Sequence, residues 1–294
     1  MPGRCWIWRV TMMNNKPILV FQTDFTYKEG AVSSMYGVVK SVDRDLEIFD
    51  STHEIPQYDI WSASFRLLQT VRFWPSDTVF VSVVDPGVGT KRKACVAKTV
   101  RGNYIVTPDN GTLTHLFSDP GIVEVRSIDE SVNRLATTTG TSVFHGRDLF
   151  GYCAARLASG IIAFDEVGPV YPIDQIVRFD IPDPWIDDQG LHGIFEIMDP
   201  NFGNLWTNIP IEFMKKLSLS YGDSVHLAVH HGSTLVLDTI VPYHPTFGYV
   251  AEGRPVLYTN ELMKVAFAIC MGSAKDTYGL RFGPSWNVTI KEVK

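Results

Sequence analysis

PILVFQT, residues 17–23, is an apolar run of strand length, and the alternation of elements that begins with it decides the fold. Residues 30–42 carry apolar side chains at helical spacing, and LEIFD (46–50) reads again as a strand. Residues 60–73 predict a helix with Ala63, Leu67, Leu68 and Val71 on one stripe. TVFVSVV comes next, then KACVAKTV and NYIVTP as a hairpin-like pair around Arg101-Gly102. A helix is expected to open near Gly111, and another covers 147–158. Strands that alternate with helices build βαβ units, so residues 17–180 predict an α/β domain on a mostly parallel sheet.

After Pro172 the period changes to two. GIFEIMD, SVHLAVH, STLVLDTIV, PVLYT and WNVTIKEV are separated by Gly, Asp, Asn and Pro turns, and only FMKKLSL looks helical. This predicts an antiparallel β domain over 190–294, reached through a linker at IPDPWIDDQG (181–190). Residues 1–16 are expected to be a disordered leader, with Met12 or Met13 as an alternative start. Their apolar part, CWIWRV, is shorter than the ~7–15 residues of a secretory signal core.

With 294 residues, 45% of them hydrophobic, the chain can bury one large core or two ordinary ones. A net charge of −6 argues against a nucleic-acid partner, which would favour a basic stripe. No run approaches the ~18 apolar residues of a membrane span. Cys5, Cys95, Cys153 and Cys270 are widely spaced and form no CxxC pair, which fits a reduced, cytoplasmic setting without a metal. His230 and His231 are adjacent and would point to opposite faces of a strand, so they make no metal pair.

Open parallel sheets bind ligands outside the carboxyl ends of their strands. Those ends hold Asp24, Asp50 and Asp85. Helix capping is the other common use of such an aspartate. Several carboxylates at one rim suit a ligand rich in hydroxyls or positive charge. Arg92 follows Asp85 in VVDPGVGTKR (83–92), and a turn there requires neither residue. Gly87-Val88-Gly89-Thr90-Lys91 matches neither a Walker loop nor a dinucleotide loop, and a strand pattern follows, so phosphate binding is not expected. His145 stands just before Gly-Arg-Asp, where capping or packing is its ordinary role. In MDPNFGNLWTNI (198–209), Asp199, Asn204 and Asn208 interleave with Phe202 and Trp206. That mixture suits a flat, hydrogen-bonding base; a β-turn with core aromatics is the other reading.

TDF, DSTHEIPQYDI, TVFVSVVDPGVGTKR, TPDNGTLT, FHGRD and FGNLWTNI occur in this order over residues 18–279. Together they resemble the S-adenosyl-L-methionine (SAM) hydroxide adenosyltransferases, relatives of the SAM-dependent fluorinase and chlorinase. The resemblance implies an N-terminal Rossmann-like α/β domain, a C-terminal all-β barrel, and a homotrimer whose sites lie between one subunit's N-terminal domain and the next subunit's barrel. It implies hydrolysis of SAM to adenosine and L-methionine, with SAM as substrate and no cofactor or metal. By the same resemblance Asp85, Arg92 and His145 activate the water. Halogenase relatives carry tyrosines where Asp85 and His145 stand, which favours water over halide here.

Binding roles carry over in the same way. Asp24 would hold the ribose hydroxyls, Tyr58 would lie beside the sugar, and Asp199 would pair with the methionine ammonium. Asn204 would read the adenine edge, Phe202 and Trp206 would wall the pocket, and backbone near Met271 would meet the adenine amino group. Three positions depart from the pattern. Thr26 replaces a glycine, Glu29 lies near a usual aspartate, and Glu261 replaces a serine that helps bind the methionine carboxylate. The alternatives are therefore a halide adenosyltransferase and a non-catalytic adenosine or SAM sensor altered at Glu261.

Overall fold

The computed structural model describes residues 17–293. The expected leader at 1–16 lies outside them. The chain divides between Arg178 and Phe179 into two compact units.

The first unit contains β1 (Leu19–Thr23), α1 (Ala31–Val42), β2 (Ile48–Thr52), α2 (Ile60–Val71), β3 (Val79–Val83), β4 (Ala94–Thr99), β5 (Tyr104–Pro108) and β6 (Ile122–Ser127). Two short helices, α3 (Glu130–Asn133) and α4 (Tyr152–Ala158), complete it. The sheet order is β2-β1-β3-β5-β4-β6. β2, β1, β3 and β5 run parallel, and β4 opposes both β5 and β6. Every residue of β1 and β3 is buried, as expected of central strands covered on both faces.

Alternation along the strands decides which layer each side chain joins. Leu19, Phe21, Val79, Val81 and Val83 share one core with Met35 and Val39 of α1 and with Cys153, Ala154 and Leu157 of α4. Gln22 points the other way, and its amide donates to the Ala63 carbonyl of α2 at 2.9 Å. α2 starts where Asp59 caps it, its carboxylate accepting from Ser62 N at 2.9 Å.

Two expected helices take a different form. The one near Gly111 is a single 3₁₀ turn at Thr114–Phe117, because Asp119-Pro120-Gly121 breaks it before β6. The helix at 147–158 opens as a wider π-turn over Gly146–Gly151 before α4.

The second unit is a β-barrel. Its strands are β7 (Trp185–Asp187), β8 (Gly190–Met198), β9 (Leu205–Pro210), β10 (Ser224–His231), β11 (Thr234–His244), β12 (Pro255–Thr259), β13 (Lys264–Ile269) and β14 (Trp286–Glu292), with α5 (Glu212–Lys216) and α6 (Ala274–Tyr278) between them. The sheet order is β14-β10-β11-β12-β13-β9-β8-β7, and β14 also pairs with β8. Among the described residues this closes a seven-strand ring and leaves β7 as an edge on β8. Inward-facing Leu191, Phe195, Leu227, Val229, Phe267 and Ile290 fill it.

Three expectations for this unit are corrected by its structure. The expected linker at 181–190 contains β7, because Asp188-Gln189 turns the chain and pairs Asp187 with Gly190. The domain is not wholly antiparallel, since β11 and β12 run parallel after a connection that crosses over instead of turning back. Helix in the FMKKLSL stretch ends at Lys216, and α6 is a second helix that no periodicity announced. Among the described residues, no helix is long and apolar enough to cross a membrane.

Candidate active site

Asp85 lies two residues beyond the carboxyl end of β3. The loop after it folds on itself. Val88 N donates to Asp85 O at 3.2 Å, and Thr90 N and its hydroxyl both donate to Gly87 O. A side chain at Gly87 would come within 3.2 Å of Arg92 Cγ. The bare glycine therefore makes room for the arginine stem. From behind, Asn110 Nδ2 of the TPDN motif donates to Val84 O at 2.9 Å, and Asp109 accepts from the Tyr171 hydroxyl at 2.6 Å.

This loop brings Arg92 back onto Asp85. Arg92 Nε donates to Asp85 Oδ1 at 2.9 Å, and Nη2 donates to Oδ2 at 2.5 Å. Both side chains are buried, with 9% and 5% exposure. The guanidinium lies 5.0 Å over the Phe150 ring, a cation–π seat. Phe150 comes from the FHGRDLF segment, and its residue type alone assigned it no role.

Arg92 Nη2 is also 2.8 Å from His145 Nδ1. A guanidinium can only donate, so Nδ1 is a bare acceptor and the imidazole proton sits on Nε2. Nε2 is buried with no hydrogen-bond partner among the described residues. Burial, and then the neighbouring charge of Arg92, holds the His145 pKa below its ordinary 6.5, so the ring is neutral. His145 occupies the residue before the π-turn, but its side chain caps nothing there. Capping is thereby removed as its role.

Asp24 follows β1 at the same rim. Its Oδ2 accepts from Tyr58 N at 2.9 Å. Burial raises the Asp24 pKa; the Asp85 charge adds to the rise and the Tyr58 N–H opposes it. Asp24, Phe25, Glu29, Gln57, Tyr58 and Asp85 line a cavity of ≈ 250 Å³. Glu29 thus belongs to the wall of this cavity, and Gln57 joins it from the DSTHEIPQYDI segment. Thr26 and Tyr58 both have positive φ, 56° and 67°. Thr26 is the position where the resemblance leads one to expect glycine, so this chain holds a left-handed bend with a β-branched residue. Asp50, the third rim carboxylate expected from the strand ends, is occupied internally by Tyr27, Tyr36 and His53.

The remaining sequence-derived residues gather on the barrel. Asp199 Oδ1 accepts from Asn201 N and Phe202 N at 3.0 and 3.3 Å, which makes the expected turn. Gly203 has φ 68°, and a side chain there would strike Ser273 Oγ, so only glycine closes this turn against α6. Phe202 is exposed, whereas Asn204 and Trp206 are buried. Tyr258 ties the group together. Burial pushes its hydroxyl up to about 12, the charges of Asp199 and Glu261 add to that, and hydrogen bonds with Trp206 and Asn204 oppose it. Met271 is 84% exposed and has φ 55°. The candidate residues therefore form two groups, one on each unit.

Chemically, the first group offers a fixed cation, a bound carboxylate and a neutral imidazole beside a polar cavity.

Comparison with known proteins bears on both groups. The SAM hydroxide adenosyltransferase N-terminal domain model matches residues 19–168, and the corresponding C-terminal domain model matches 194–287. A protein of Salinispora tropica named (R)-S-adenosyl-L-methionine hydrolase is 31% identical over 93% of this chain and 98% of its own length. A protein of Actinoplanes sp. named fluorinase is 27% identical over 94% of this chain and 98% of its own. The crystal structure of an uncharacterized conserved protein from Thermotoga maritima superposes with a TM-score of 0.83 at 31% identity, covering 94% of this chain and all of that one. The chain, matched along both of its units, belongs to the SAM hydroxide adenosyltransferase family.

Proposed function

We propose that this protein hydrolyses SAM to adenosine and L-methionine, with Asp85, Arg92 and His145 handling the attacking water. The observation that carries this reading is the single guanidinium that holds both Asp85 and His145. C5′ of SAM is bonded to a sulfonium, so methionine leaves as a neutral thioether and needs no proton. The difficulty lies with the nucleophile, because bulk water has a pKa of ~15.7. A fixed cation beside the water stabilises hydroxide character as it develops. Arg92 Nη1 has no hydrogen bond to any described residue, which leaves an edge of the guanidinium for that oxygen.

The tautomer of His145 distinguishes the two candidate bases. Its Nδ1 accepts from Arg92 and its Nε2 already carries a proton. Asp85 is then the group of the three able to take the proton, a role that typically contributes about 10²–10⁴-fold. His145 acts as a neutral acceptor that fixes Arg92. Asp24 and Tyr58 receive the sugar in the cavity they line, while Asp199, Phe202, Asn204, Trp206, Glu261 and Met271 serve the adenine and amino-acid ends. SAM is the substrate, and this reading calls for no cofactor. We place the protein in the cytoplasm, in keeping with free Cys95, Cys153 and Cys270. The expected assembly is a homotrimer, supported by the exposed Tyr58, Phe202 and Met271.

Turnover in ¹⁸O-water tests the reaction. The label is expected in adenosine, and excess chloride or fluoride is expected to yield no 5′-halo-adenosine. Halo-adenosine, or no adenosine at all, refutes the reading.

The tautomer also predicts a pH profile. Protonating His145 would remove the acceptor for Arg92 and set two cations face to face. Because its pKa is lowered, the acid limb of kcat is expected below pH 6.5, with activity level above it. The neighbouring charges are Arg92, Arg134, Glu130 and Asp85. In His145→Asn, whose amide oxygen keeps an acceptor, that limb should disappear. A limb centred above 6.5 would contradict the neutral assignment.

A further inference from the structure

Behind Asp24 lies a chain of hydrogen bonds that the proposed mechanism does not use. Tyr27 donates to Asp50 Oδ2 at 2.5 Å, and the Tyr36 hydroxyl donates to Oδ1. His53 Nε2 is 3.0 Å from Asp50 Oδ1, and His53 Nδ1 is 2.7 Å from Thr23 Oγ1. Phe25 N donates to the same Thr23 oxygen at 3.1 Å. The direction of each bond follows from chemistry. Hydrogen bonds from the tyrosines and His53 outweigh burial and hold the Asp50 pKa below its usual value, so this carboxylate only accepts. His53 Nε2 must carry the proton that it gives to Asp50. Burial lowers the pKa of His53, which leaves Nδ1 bare. Thr23 then donates to Nδ1, and its lone pair receives Phe25 N–H.

Carboxylate, imidazole and hydroxyl in this order resemble the arrangement that activates a nucleophile. Nucleophilic attack is excluded here, because Thr23 is 0% and His53 1% exposed. A polar chain that runs from the exposed Asp50 on the edge strand to the buried His53 and Thr23, and ends one residue before Asp24, has another use.

We infer that Asp50, His53 and Thr23 form a positioning relay that fixes the Asp24 loop for the substrate sugar. Backbone bonds from Thr26 N to His53 O (2.8 Å) and from Ile55 N to Thr23 O (3.3 Å) clamp the same two segments. The strained Thr26 within that loop explains the need, since a left-handed β-branched residue persists only where its surroundings over-determine it. His53 and Thr23 are positioning residues: they act through Asp24 and touch no substrate.

This inference rests on the reading that Asp24 binds the sugar, so the experiment separates the two. Adenosine titration of Asp24→Asn tests that reading alone; undiminished affinity refutes it. Thr23→Val keeps the shape and removes the hydroxyl. It is expected to raise the KM for SAM about tenfold, the effect of losing ~1.4 kcal/mol of orientation, with kcat within about twofold. Thr23→Ser should recover most of the KM. His53→Gln, which keeps a donor toward Asp50 but moves the acceptor away from the Nδ1 position that Thr23 meets, should reproduce the Thr23→Val pattern if the valine variant folds poorly. If Asp24→Asn loses adenosine while Thr23→Val and His53→Gln bind and turn over normally, the relay is wrong. It is also wrong if serine fails to restore KM, or if activity merely tracks the folded fraction.

Discussion

Replacing Arg92 by lysine is expected to lower kcat by about 10²–10³-fold, the scale of removing one pre-aimed donor from a reaction centre. The charge remains, so charge alone predicts a mild effect. Geometry predicts a severe one. A guanidinium spans Asp85 and His145 simultaneously, from Nε and Nη2, and still keeps Nη1 for the water. An ammonium is a point charge on a flexible stem and cannot hold that fork. Lysine is a better test than alanine, because alanine would leave Asp85 buried without its cation, which typically costs about 3–5 kcal/mol and would mix stability with catalysis. Adenosine should still bind within about threefold of the parent, since its sugar is held elsewhere. Steady-state rates and calorimetric titration read the two quantities separately. A lysine variant with near-parental kcat would remove Arg92 from the chemistry.

The second large effect concerns the barrel. Lys264 Nζ donates to Glu196 Oε2 at 2.6 Å, and the glutamate side chain is only 5% exposed. Lys264→Met is expected to destabilise the protein by about 3 kcal/mol at neutral pH, because a buried carboxylate loses its cation. The pH dependence has a definite sign. Burial raises the Glu196 pKa above its ordinary 4.5, and Lys264 opposes the rise. A raised carboxyl binds its proton more tightly in the folded state. Its contribution is therefore present below 4.5 and is lost as pH climbs through the folded value. Removing Lys264 raises that value further, so the gap between variant and parent should be small near pH 4.5 and widen toward neutrality. The double variant Glu196→Met/Lys264→Met should regain most of the stability, since paired apolar replacements carry no stranded charge. Denaturant titrations at two pH values check this; a gap that narrows with rising pH would contradict it.

Much of this molecule is legible in one dimension. The apolar runs at 17–23 and 78–84 announce buried parallel strands, because a strand covered on both faces has little use for polar side chains, whereas the more polar run at 46–50 is the exposed edge strand β2. The change to period two after Pro172 announces a second unit, whose strands face a core on one side only. Asp85 and Arg92 stand out because no turn requires that pair, whereas His145 reads as a cap or a packing residue and joins them only through the family resemblance. Less legible were β7, hidden in what reads as a linker, and the parallel step between β11 and β12. Short edge strands and crossovers leave little periodicity to read.

The residues that tertiary structure alone could assign are those whose role depends on a partner distant in sequence. Asp50 reads as one more rim carboxylate, yet Tyr27, Tyr36 and His53 claim it. Phe150 has no role assigned by its residue type, yet in the core it also seats a guanidinium. The sequence by itself determined the two units and their strand periods, because these follow from side-chain chemistry at fixed spacing, and through the family resemblance it pointed to Asp85, Arg92 and His145 as the proposed water-handling set. Only the folded structure decided that His145 is the neutral Nε2–H tautomer, which is the ground for proposing Asp85 as the proton acceptor. Proton positions are set by which donor lies 2.8 Å away, and that donor stands 53 residues earlier in the chain.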